Sequence, residues 1–153
     1  MSLLKNWLRA GTVAAAVVAS ALLSAPAQAA PVSAPNAVIS AENVVTVTSA
    51  NYNQVMETSR TKLVILDFGA TWCPPCRQLK PVIEKLAGQY GGRFLLGEVD
   101  ADTSRDLVSR YRIQYLPTLV PVRNAAELPN SRMIGFKGES ALRTWIDAQL
   151  AKG

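Results

Sequence analysis

From residue 43 onward, apolar positions alternate between two rhythms. Val44, Val45 and Val47 with Thr46 and Thr48 form a β-branched cluster that predicts a short strand, and Ser49 is placed to cap a helix carrying Tyr52, Val55 and Met56 on one face. Lys62 to Phe68 is nearly continuous in apolar side chains, the pattern of a central strand covered on both faces. Leu79, Val82, Ile83 and Leu86 then repeat at helical spacing until Gly91-Gly92, where the helix should stop. Arg93 to Val99 reads as the next strand, and Asp102 or Thr103 as the cap of a short helix reaching Tyr111. Pro117 introduces a strand over Thr118 to Arg123, followed by a polar loop and a strand from Ser131 to Phe136. Leu142, Trp145, Ile146 and Leu150 stripe a last helix. Alternating strands and helices ending in a hairpin predict an α/β fold, a central mixed β-sheet flanked by helices.

The first 42 residues follow different rules. Lys5 and Arg9 precede an uncharged, alanine-rich stretch from Ala10 to Ala25, which ends in Pro26-Ala27-Gln28-Ala29. That is the layout of an export signal over 1–29 with cleavage before Ala30. The alternative is an uncleaved N-terminal membrane anchor, but the stretch falls short of the ~20 apolar residues that span a bilayer. Residues 30–42, rich in Pro, Ser and Ala, read as a flexible lead, and 43–151 as the folded domain. Export from a bacterial cytoplasm would place that domain in the periplasm.

Composition narrows the chemistry. With 49% hydrophobic and 18% charged residues, the chain can bury a core. Its net charge of +5 includes Lys5 and Arg9 of the leader, and no Lys/Arg run is present, so nucleic-acid binding is not expected. The sequence has no histidine, which excludes Ser-His-Asp and Cys-His nucleophile pairs and every His-ligated metal site. What remains is cysteine, carboxylate and backbone chemistry.

The two cysteines sit in Trp72-Cys73-Pro74-Pro75-Cys76-Arg77, where a buried strand turns into a helix. Free N–H groups and the helix dipole favour an anion at a helix start, so Cys73 can ionise and act as nucleophile. Cys76, one turn later, can attack a mixed disulfide on Cys73 and release the reduced partner. Pro74 and Pro75 suit the first helical turn, which has no use for their missing N–H. A zinc half-site needs a second ligand pair that this sequence lacks, and a purely structural bridge of this length removes little unfolded-state entropy.

With Asp67-Phe68 ahead of Trp72-Cys73-x-Pro75-Cys76, Pro81 in the following helix, Asp100-x-Asp102, Leu116-Pro117-Thr118-Leu119 and Gly135, the chain resembles the thioredoxin family from Asn43 to about Leu150. The resemblance implies a thioredoxin-like fold and thiol:disulfide exchange with protein substrates, with no cofactor and no metal. It also implies a monomer that draws electrons from an inner-membrane thiol reductant. It makes Asp67 the buried acid that moves a proton to or from Cys76, and Pro117 a cis proline facing the disulfide. With Trp72, Pro74, Pro75 and Leu116, Pro117 would shape the substrate contact surface. A periplasmic reductant is the leading expectation; the alternatives are a disulfide donor or isomerase and a soft-metal carrier of copper.

Four features depart from the family pattern. Gly69 stands where many relatives have tryptophan, and Glu98 where some carry a lysine near the buried acid. A carboxylate there would raise the pKa of Asp67 if the two were close. Pro121 predicts a bulge or an unpaired neighbour in its strand, and the loop from Asn124 to Asn130 looks longer than a tight turn.

Overall fold

The computed structural model describes residues 43–152, so the leader and lead assigned to 1–29 and 30–42 lie outside the described residues. The elements are β1 (Val44–Thr46), α1 (Tyr52–Thr58), β2 (Leu63–Gly69), α2 (Pro74–Gln89), β3 (Phe94–Asp100), α3 (Arg105–Arg110), β4 (Thr118–Arg123), β5 (Ala126–Glu127), β6 (Met133–Ile134) and α4 (Glu139–Leu150). The strands form one mixed sheet in the order β1-β3-β2-β4-β5, with β6 also on β4. β1, β3 and β2 run parallel, and β4 runs antiparallel to β2.

Because β2 is paired on both sides, its backbone is satisfied and both its faces are buried, which explains the apolar run. Val64, Leu66 and Phe68 pack with Val55 and Met56 of α1 and Leu107 of α3. Leu63 and Ile65 pack on the other face with Leu79 and Ile83 of α2 and Leu142 and Ile146 of α4. The two-residue period then places Asp67 on the face that α2 covers. In β3, Phe94 and Leu96 share that face, and so does Glu98, the register partner of Asp67. On the opposite face Gly97 leaves room for the core: a Cβ at this position would lie 2.8 Å from Val47 Cγ2 and 2.9 Å from Leu66 Cδ2.

Several local expectations change. The first strand ends at Thr46, and α1 begins after Asn51, not at a Ser49 cap. The Asn51 side chain turns back, accepting from the Thr48 N–H and donating to the Thr46 carbonyl, both at 2.8 Å. Ser49 instead donates to Asp106, tying the start of α1 to α3. Ser104 flanks α3, because Asp102 and Thr103 are held in a turn by the Asp100 carboxylate, which accepts from both their N–H groups. α2 runs through Pro81 and ends before Gly91 and Gly92, whose φ of 58° and 80° suit glycine.

The outer hairpin differs most. The stretch read as a long loop contains β5, and Arg123 pairs with Ala126 across a two-residue turn at Asn124-Ala125. Both turn residues have positive φ, 51° and 59°, as a tight hairpin of this hand requires. The extra length lies between β5 and β6 instead, and the strand expected over Ser131 to Phe136 shrinks to Met133–Ile134. Pro121 accounts for the break. Its register with Ile65 is continuous, so there is no bulge toward β2. Its carbonyl accepts from the Leu128 N–H, so its missing N–H falls on the outer side, between the segments of β4 that pair with β5 and with β6.

Candidate active site

Cys73 flanks the start of α2 in extended conformation, with φ −84° and ψ 112°, and its sulfur accepts the Cys76 N–H at 3.3 Å. Pro74 and Pro75 occupy the first turn, where no N–H is needed. Cys73 and Cys76 are joined as a disulfide with Cα atoms 5.3 Å apart. Both are buried, Cys73 at 3% exposure and Cys76 at 8%, with Ala70 and Leu116 packed against them. Fractional exposure therefore does not distinguish the two sulfurs.

The two cysteines differ in what they open onto. Cys73 lines a groove of about 500 Å³ with Trp72, Pro74, Pro75, Tyr115 and Leu116. Trp72 and Tyr115 are each 63% exposed, and the Trp72 indole N–H donates to Asp102 at 2.9 Å, which fixes the ring beside the groove. The Leu116–Pro117 bond is cis. Leu116 lines the groove and Pro117 does not; the Pro117 carbonyl accepts from the Gly135 N–H at 2.9 Å, which ties this loop to the end of β6. Tyr115 had no distinguishing signal in the sequence beyond its place next to Leu116.

Cys76 lines a separate cavity of about 390 Å³ with Asp67, Gly69, Arg77, Lys80 and Glu98. Gly69 keeps this space open: a Cβ there would sit 3.7 Å from the Cys76 sulfur, so a large side chain would cover it. Asp67 Oδ1 is buried and has no hydrogen-bond partner among the described residues. Burial, and next the negative charge of Glu98, push the Asp67 carboxyl up to about 7, while Lys80 acts in the opposite direction. The Lys80 ammonium is ion-paired with Glu98 and, at 3.0 Å, with Glu84. Sequence reading singled out Glu98 but missed Lys80. The signal was present: Cys76, Lys80 and Glu84 recur at intervals of four, which stacks them on one face of a helix.

A disulfide at a helix start, with an open groove beside one sulfur and a buried carboxyl lining the cavity beside the other, is an arrangement suited to dithiol–disulfide exchange. The family model "Thioredoxin" matches residues 43–148. A thioredoxin from Staphylococcus epidermidis is 34% identical over 107 residues, spanning 70% of this chain and 98% of that protein. Thioredoxin-1 of Drosophila melanogaster is 33% identical over 91 residues, 60% of this chain and 80% of the relative. Among solved structures, Fasciola hepatica thioredoxin superposes with a TM-score of 0.61 at 28% identity, covering 70% of this chain and 98% of that one. The chain belongs to the thioredoxin family and is a thioredoxin-type thiol:disulfide oxidoreductase.

Proposed function

We propose that this oxidoreductase is an exported reductant of protein disulfides, working in the periplasm with electrons from an inner-membrane thiol carrier. The observation that carries the reading is the division of the two sulfurs between a docking groove and an acid-lined cavity. A substrate disulfide lying along Trp72, Tyr115 and Leu116 meets Cys73, whose thiolate is favoured at the start of α2. The Cys73 sulfur attacks one substrate sulfur, the substrate S–S bond breaks, and its other sulfur leaves as a thiolate that takes up a proton. The Cys76 thiol then gives its proton to the Asp67 carboxylate and attacks Cys73. That forms the Cys73–Cys76 disulfide and expels the second substrate thiolate, so two electrons have passed to the substrate. Asp67 suits this step because a carboxyl near 7 is a base of useful strength at neutral pH. The export half of the reading rests on Lys5, Arg9 and the small residues Ala27 and Ala29 that frame the leader.

The test is cell fractionation of the tagged full chain, combined with alkylation trapping of its thiols and equilibration of the purified protein in glutathione buffers. A periplasmic protein whose Cys73–Cys76 pair is mostly reduced in cells, with a potential well below that of glutathione, supports the reading. A pair found mostly oxidised, with a potential above glutathione, replaces it with a disulfide donor or isomerase. Stoichiometric copper on the reduced protein makes it a metal carrier.

A further inference from the structure

Asp67 and Glu98 are direct register partners on adjacent parallel strands and face α2 from the same side of the sheet. Two carboxylates so placed repel, and each holds protons more tightly while the other is charged. The other groups around the cavity are accounted for. From α2 come Arg77, Lys80 and Glu84, and from β3 also Asp100. Arg77 donates to the Thr71 carbonyl at 3.2 Å, and Asp100 accepts the N–H groups of Asp102 and Thr103. Thr46 of β1 lines the cavity, and β4 places Leu119 opposite Asp67, neither of which titrates in this range. The charges felt by Asp67 are those of Glu98 and Glu84, which favour its protonated form, and that of Lys80, which opposes them and is ion-paired with both.

We propose that Glu98 and Lys80 are positioning residues that set the pH at which Asp67 takes the proton of Cys76. Glu98 makes Asp67 a stronger base, and the Lys80 ammonium, clamped between Glu98 and Glu84, limits that effect. Neither touches the reacting sulfurs; both act through the charge they place near Asp67. The split gives the chain two opposing controls on one proton acceptor, one on the sheet and one on the helix that carries Cys76. The proposal rests on Asp67 serving Cys76 as read above.

The test is a carboxyl-carbon NMR titration of Asp67 in the oxidised protein, assigned with Asp67→Asn and repeated in Glu98→Gln, Lys80→Gln and Lys80→Arg. Both substituted side chains reach solvent, at 23% for Glu98 and 55% for Lys80, so the changes spare the core. Glu98→Gln should lower the Asp67 midpoint by about one pH unit, Lys80→Gln should raise it, and Lys80→Arg should hold it near wild type. The pH profile of insulin reduction should move in the same direction in each variant. An Asp67 midpoint unchanged in both glutamine variants would overturn the proposal and leave the role of Asp67 standing. Midpoints that move under an unmoved pH profile would overturn both, since Asp67 would then not be the proton acceptor in turnover.

Discussion

The two sides of the disulfide are built on opposite principles. The Cys73 side is a groove open to solvent and rimmed by two aromatic rings, with its apolar surface left uncovered. The Cys76 side is a charged cavity holding, under α2, a buried carboxylate oxygen with no hydrogen-bond partner among the described residues. Exposed apolar surface costs little to keep and invites a partner, whereas a buried carboxylate costs stability and is retained where it does chemistry. Fractional exposure does not distinguish the sulfurs, since both are below 10%. Their surroundings do.

The largest effect should come from breaking the symmetry of the pair itself. Cys73→Ser is expected to lose insulin-reducing activity to background, because the groove then holds no sulfur to attack. Cys76→Ser should lose turnover but accumulate mixed disulfides between Cys73 and its substrates, visible on non-reducing gels and released by dithiothreitol. Catalytic turnover by Cys76→Ser at the wild-type rate would reverse the assignment of the two cavities.

Asp67→Asn removes the costly group from the cavity and should act on rate and stability in opposite directions. Turnover at pH 7 should fall about tenfold or more, toward the roughly hundredfold low end of what a general base is worth. For stability, the folded-state pKa of about 7 lies above the ordinary value, so the folded protein binds more protons than the unfolded chain between about pH 4 and pH 7. The wild type is therefore penalised progressively as pH rises through that window. Asparagine carries no such penalty, so the variant should gain on the order of 2–4 kcal/mol over wild type between pH 4 and pH 8. Urea melts of the oxidised proteins at both pH values measure this. A variant less stable than wild type at pH 8 would make Asp67 a structural acid.

How much of this was legible beforehand follows the same division. The apolar run of β2, the helical stripes of α2 and α4, and the motif around Cys73 are local patterns, and they sufficed for the order of the main elements and for placing the cysteine pair at the start of α2. β5 and β6 are two residues each, too short for periodicity to mark, and the turn at Asn124-Ala125 depends on an alanine with positive φ that no composition rule anticipates. Glu98 could be flagged from its strand, but its distance from Asp67 needed the parallel register of β2 and β3. The helical spacing puts Lys80 on the face of Cys76, but its pairing with Glu98 needed in addition the placement of α2 over that register. Nonlocal pairings of this kind are what a one-dimensional pattern leaves open.

The smallest expected effect tests the groove alone. Trp72 is exposed, donates its indole N–H to Asp102, and lines the groove beside Cys73 without contributing to the main cores. Trp72→Ala should therefore change stability by less than about 1 kcal/mol, as expected for an exposed position. An aromatic anchor at a contact surface is worth on the order of 2 kcal/mol to a protein partner, so kcat/KM for insulin should fall roughly tenfold to thirtyfold. A small reagent such as an aromatic disulfide has no extended segment to lay along the groove, and its rate with Cys73 should change by less than about threefold. Stopped-flow rates with both substrates decide the matter. Equal losses would mean that the indole tunes the Cys73 thiolate itself, and the groove would then no longer stand as a docking surface separate from the chemistry.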